Sequence, residues 1–262
     1  MTPFEAKASE VAGALAGRAV SIVCVDEAAW RSLGAQAGFD PAQAWALAPF
    51  HWDSGAGRPV PDGYARFSPR ACRYGDAFWS RPSEHGAKIC RYGTTTEWRM
   101  RRVQKPTKRR VRVKVDGKLV WRVVTRKATV VVREPVKVPL YSECDDWASK
   151  LVAVHVLSHE AVHLSGFHGE ASAECLAVQV DAYVATALGA DEGFARAMAR
   201  EFWRDHYRPR SDAYRSRDCR DGGRLDLFPE RAGWPTPDAY PADLAARIST
   251  LETSLGTAGG AP

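Results

Sequence analysis

His159, Glu160 and His163 stand in the order His-Glu-x-x-His within "LSHEAVHL". On a helix, residues four apart are neighbours, with Cβ atoms about 5–6 Å apart. Both imidazoles can therefore reach one cation. Glu160 lies next along, angled toward the coordination position that two histidines leave open, where a carboxylate can take a proton from water. The pattern suits a zinc ion, Zn2+, but needs a third protein ligand. The following residues, "SGFHGEASAEC", offer His168, Glu170 and Glu174. His155 lies on the same face, four residues before His159. It reads either as a group supporting the ligands from behind or as a core histidine, and its neighbours Val154, Val156 and Leu157 favour the core.

The pattern H-E-x-x-H-x-x-G-x-x-H is nearly present. Gly166 is in place, but Gly169 occupies the position of the third histidine and His168 comes one residue early. Glu170 and Glu174 are i, i+4 on one face of a second helix. The string "EASAE" after HExxH resembles the gluzincin group of zinc metallopeptidases, whose second helix reads E-x-x-A-[acid]. The resemblance is confined to residues 157–175. It implies a zincin-like fold and zinc held by His159, His163 and Glu170. It makes Glu174 the acid that orients a ligand histidine, and Glu160 the base in peptide-bond cleavage. The spacing departs from the family, because only six residues separate His163 from Glu170. Glu174, one turn further along, and His168 in the loop therefore stay open as alternative ligands. A peptidase also needs help for the oxyanion. His206, Tyr207 and Tyr214 are the downstream candidates, each otherwise a packing or helix-surface residue. The stretch, together with the later "CRDGG", is also similar to uncharacterised actinobacterial HExxH proteins, which brings no activity with it.

These residues need helices to hold them. The pattern predicts one helix from Asp145 or Asp146 to about Leu164, ended by Gly166. Others are expected over 170–188, 191–207 and 241–255, and, before the motif, over 3–17 and 27–36, the last capped by Asp26. "AVSIVCV" (19–25) reads as a buried strand. Residues 38–97, rich in Gly, Pro, Ser and aromatics, are expected to be irregular, with short helices and room for a strand.

Residues 99–137 differ from the rest. They hold fifteen Lys and Arg against two acids, Asp116 and Glu134, a net +13; the chain as a whole is +6, so the remainder is −7. Here valines alternate with basic residues, the period of a strand, and Asp116-Gly117 is a two-residue hairpin signal. Short strands are expected over 110–115, 119–125, 129–132 and 136–138, interrupted at Pro135. Nucleic acid, an acidic substrate or partner, or a membrane surface could bind such a segment. A solvated insertion is the plainer reading. The fold class expected is therefore α+β: one zincin-like domain over 1–262, with a basic β insertion over 98–140 and a disordered tail over 256–262. The expected activity is zinc-dependent hydrolysis of a protein or peptide substrate. The competing class is a binding module with a structural metal.

No run of 18 apolar residues suggests a transmembrane helix, and charges at Glu5, Lys7 and Glu10 break any signal-peptide core. The expectation is a cytoplasmic protein. Six cysteines lack any C-x-x-C. Cys175–Cys219 and Cys72–Cys90 are the expected pairs if any form.

Overall fold

The computed structural model describes residues 1–55, 57–81, 94–139 and 145–258. The chain is α+β and divides into two compact units, Met1–Ile89 with Asp145–Pro262, and Cys90–Cys144.

In the first unit, helix α1 (Pro3–Ala16) starts at Thr2, whose side chain accepts from the Glu5 amide while Glu5 reaches back to the Thr2 amide. This capping box satisfies two orphan donors. Glu5 Oε1 also accepts from the Cys24 amide at 2.7 Å, tying α1 to strand β1 (Ser21–Cys24). Asp26 caps α2 (Glu27–Ala37), as the sequence predicts. The region expected to be irregular contains more order than its composition suggests. Strands β2 (Ala46–Leu47), β3 (Phe50–Asp53), β4 (Arg58–Pro61) and β5 (Tyr64–Phe67) precede α3 (Pro69–Ser80). Strands of two to four residues are too short to show a period. The signal for α3 was present in Ser68-Pro69, a cap followed by proline at the first helical position. One sheet has the order β1-β5-β2, with β5 parallel to β1 and antiparallel to β2; β3 and β4 pair separately.

The remaining helices are α4 (Asp145–Leu164), α5 (Glu170–Ala187), α6 (Glu192–Phe202) and α7 (Leu244–Ala258). Helix α6 stops short of the expected 207: residues Trp203–Tyr207 form a π-turn, closed by the Arg208 amide on the Trp203 carbonyl. Helix α7 runs to Ala258, into the segment expected to be a tail. Helix α4 packs against α1, α3 and α5, burying Leu157, Val162 and Leu164 with Leu176, Val178 and Phe202. Its last turn is closed by Arg18, which donates to the Leu164 carbonyl at 3.0 and 3.3 Å. A cation on the orphan carbonyls of a helix C-terminus is favourable.

Two disulfides join described residues, Cys24–Cys72 and Cys175–Cys219. The first replaces the expected Cys72–Cys90 pair. Spacing suggested that pair, but α3 places Cys72 beside the end of β1. Cys90 lies outside the described residues. The second disulfide ties the loop after the π-turn to α5. Gln179 reinforces it, donating to the Leu225 carbonyl at 2.7 Å and accepting from the Leu227 amide at 2.8 Å.

The second unit is one antiparallel pair, β6 (Thr94–Val115) and β7 (Lys118–Pro139), paired continuously from Thr94↔Pro139 to Val115↔Lys118. Asp116 (φ 50°) and Gly117 (φ 77°) make the two-residue turn. The expected break at Pro135 does not occur. In a two-strand ribbon each strand has an outer edge, where a residue without an N–H leaves no bond unmade. Pro135 sits opposite Trp98, and Pro106 opposite Lys127, without loss of register.

Candidate metal centre

The site is built from the junction of α4 and α5. Gly166 (φ 116°) takes a conformation disfavoured for residues with a Cβ and ends α4. The Gly166 amide donates to the His163 carbonyl (2.9 Å) and the Phe167 amide to the Val162 carbonyl (3.4 Å), the two bonds of a Schellman motif. The turn has a chemical result: it delivers the Phe167 carbonyl to His163 Nδ1 at 2.5 Å. A carbonyl only accepts, so Nδ1 carries the proton and Nε2 is left with its lone pair.

His159 Nε2 lies 2.9 Å from His163 Nε2. Glu170, in the first turn of α5, places Oε2 3.3 Å from His159 Nε2 and Oε1 3.6 Å from His163 Nε2. A tetrahedral cation with bonds of about 2.0–2.2 Å holds its ligand atoms roughly 3.3–3.6 Å apart. The three donors match that spacing, with the histidine pair slightly tight, so the residues fit a zinc-sized cation. Burial disfavours a charged His159, but Glu170 and Glu174 outweigh it and raise its pKa to about 10. The contacts with His159 and His163 hold the Glu170 carboxyl well below the usual range. The pocket thus concentrates negative charge on donors that ask for a cation.

Behind the three lies a buried ionic cluster. Glu174 Oε2 contacts His159 Nδ1 at 3.0 Å and His155 Nε2 at 3.2 Å, and its Oε1 meets Arg210 Nε at 2.8 Å. His155 Nδ1 meets Asp181 at 3.0 Å, and its ring stacks on Phe202 at 3.8 Å. Burial works against a charged His155, yet Asp181 and Glu174 raise its pKa. His155, His159 and Glu174 form a second group of donors within 4.8 Å of one another. In that group the carboxylate already faces the Arg210 guanidinium, so its charge is met by protein. Its Oε2 lies against His159 Nδ1, while Glu170 faces the Nε2 of the same ring.

Glu160 is 5% exposed, and its Oε2 is buried without a hydrogen-bond partner. Burial raises its pKa against the pull of His163 and His159, and it accepts from the Ala48 amide just past β2. The donors and Glu160 open into a cavity of about 680 Å³, a size typical of ligand sites. One wall is the segment from Trp45 to Phe50. It includes β2, an outer strand of its sheet, with no strand on its other side among the described residues.

The other expected residues fall as follows. His168 is exposed in the loop and lines the cavity, but it is outside the converging donors. Tyr214 lines the cavity, with the Arg210 guanidinium 5.4 Å over its ring. His206 and Tyr207 do not line it. His206 stacks on Phe202 (5.0 Å), while Tyr207 is buried against Trp203 (4.7 Å) and its hydroxyl accepts from the Ser216 amide. The π-turn carrying both directs them into packing, which removes them as oxyanion candidates. The sequence reading missed Arg210 and Asp181, and favoured a core place over a supporting role for His155, which is buried and also part of the cluster. The signal was helical spacing: His155 is four before His159, and Asp181 seven after Glu174.

Fold and site together define an α+β chain with a His-His-Glu donor cluster lining a cavity. No protein-family model matches the chain, and no curated protein or solved structure matches it.

Proposed function

We propose that the chain is a zinc-dependent hydrolase, a metallopeptidase acting on protein or peptide substrates. The observation that carries this reading is the convergence of His159 Nε2, His163 Nε2 and one Glu170 carboxylate at tetrahedral spacing, with Glu160, whose Oε2 has no hydrogen-bond partner, beside them. Zinc, when bound, supplies a Lewis acid that polarises a carbonyl and acidifies water. Glu160 Oε2 takes the proton of the attacking water and hands it to the leaving amine, a task suited to a carboxyl with a raised pKa. His159 and His163 are fixed as Nε2 ligands by Glu174 and the Phe167 carbonyl. Three donors facing an open cavity suit a catalytic zinc, whereas a structural zinc is closed by four protein ligands. The free side of β2 along the cavity wall favours an extended peptide, which can pair with an exposed strand edge. Tyr214 and Arg210, which line the cavity, would meet the oxyanion.

The paired cysteines suggest an oxidising compartment, because disulfides persist there and rarely in reducing cytosol. Among the described residues no helix is long and apolar enough to cross a membrane.

Metal analysis and one variant test the reading. Purified protein should hold one zinc per chain. Glu160→Gln should keep that zinc and lose about 10²–10⁴-fold in peptide hydrolysis. A chain without stoichiometric zinc, or a variant as active as the parent, would falsify it.

A further inference from the structure

The ribbon of β6 and β7 carries the strongest charge and the most exposed apolar surface of the described residues, and the site chemistry uses neither. Cross-strand partners share a face. Near the turn the register sets Lys114 opposite Leu119, Arg112 opposite Trp121 and Arg110 opposite Val123. Alternation keeps all six on one face. That face is therefore two rows, a cationic one on β6 and an apolar one on β7. Leu119 is 66% exposed, Trp121 61% and Val123 58%. They occupy about 20 Å of ribbon from the turn. The Arg112 guanidinium lies 4.8 Å over the Trp121 ring, so the rows also touch. On the opposite face Val120 and Val124 are exposed as well.

Exposed Leu, Val and Trp in a row are costly in water and mark an interaction surface. Nucleic acid complements the cations through its phosphates. It offers an aromatic ring a base to stack on, but gives aliphatic Leu119 and Val123 no counterpart. A lipid surface of negative charge complements both rows. Headgroup phosphates and carboxylates meet Lys and Arg, the acyl boundary takes Leu and Val, and Trp sits by preference at headgroup level. We infer that the tip of this ribbon is a docking element for anionic membrane surfaces, with Leu119, Trp121 and Val123 entering the interface and Arg110, Arg112 and Lys114 holding the headgroups.

The test is co-sedimentation of the full chain with vesicles of phosphatidylcholine alone and of phosphatidylcholine mixed with phosphatidylserine, over a range of salt. The chain should partition onto the mixed vesicles, and less so as salt rises. Arg110→Gln/Arg112→Gln/Lys114→Gln should weaken that partition about a hundred-fold. Leu119→Ser/Trp121→Ser/Val123→Ser, which keeps every charge, should weaken it at least about ten-fold. Equal binding to both vesicle types overturns the inference, as does an apolar triple variant that binds like the parent. Tight binding to an oligonucleotide with none to mixed vesicles would overturn it in favour of nucleic acid.

Discussion

Glu174 gives the sharpest test of how the centre is held. Its side chain is 2% exposed and meets three partners at 2.8–3.2 Å: His155 and His159 through Oε2, Arg210 through Oε1. In Glu174→Gln one of those oxygens becomes an NH2. If it faces His159 Nδ1, donor meets donor and the ring is pushed toward the tautomer with a proton on Nε2, where the metal must sit. If it faces Arg210, the guanidinium swings out, and at 31% exposure it can reach water. The second arrangement costs less, so Gln should weaken zinc binding about ten-fold and Ala about a hundred-fold, the range for a carboxylate behind a ligand histidine. Ala also strands buried charge. Breaking a buried pair costs about 3–5 kcal/mol, and the escape of Arg210 favours the low end. At about 2–4 °C per kcal/mol for a chain of this size, Tm should fall about 6–12 °C. Competition against a chromogenic chelator measures the first quantity and calorimetry the second. Glu170→Gln should lose more zinc affinity than either Glu174 variant. The reasoning fails if Glu174→Ala binds zinc within about threefold of the parent, or more weakly than Glu170→Gln, which would make Glu174 a ligand itself.

Two further outcomes follow from the same geometry. A zinc ion must displace the proton that Glu170 and Glu174 hold on His159 up to about pH 10. Proton competition falls as pH rises, so apparent zinc affinity should climb about ten-fold per pH unit from neutrality toward that value; a plateau above about pH 7, as for an ordinary histidine, would contradict it. Cys175→Ser/Cys219→Ser opens a link 44 residues apart in sequence. The loop-entropy relation gives about 4 kcal/mol for that length, and a midpoint in urea unchanged by the pair of substitutions would refute it.

The part of the site that could be read in the sequence is the part encoded at helical spacing. His159, Glu160 and His163 needed only the 3.6-residue period to be placed together. The choice between Glu170 and Glu174 depends on the angle at which α5 leaves Gly166, which no spacing rule contains. In the fold the two acids divide, Glu170 toward the histidine Nε2 atoms and Glu174 toward Nδ1 of His159. The turn at Asp116-Gly117 was legible because two residues fix it. The length of the ribbon was not, because prolines that end a strand inside a sheet are harmless at its edge. Strands β2 to β5 escaped notice because pairs across the sheet, and not runs along the chain, make them strands. His206 and Tyr207 looked free to act only while α6 was taken as one regular helix.

The local origin of the donors separates two properties of the centre. His159, His163 and Glu170 span twelve residues, so bringing them together closes almost no loop and costs little chain entropy. The environment of Glu160 is different. Its backbone partner Ala48 and the cavity wall around β2 come from more than a hundred residues earlier, contacts of high sequence separation that form late and are lost early when a domain loosens. Metal retention and the setting of the base thus have different contact orders. On the proposed reading, a chain partly opened at β2 would keep its ion while losing the wall beside Glu160, so metal content alone would overstate how much of a preparation is competent.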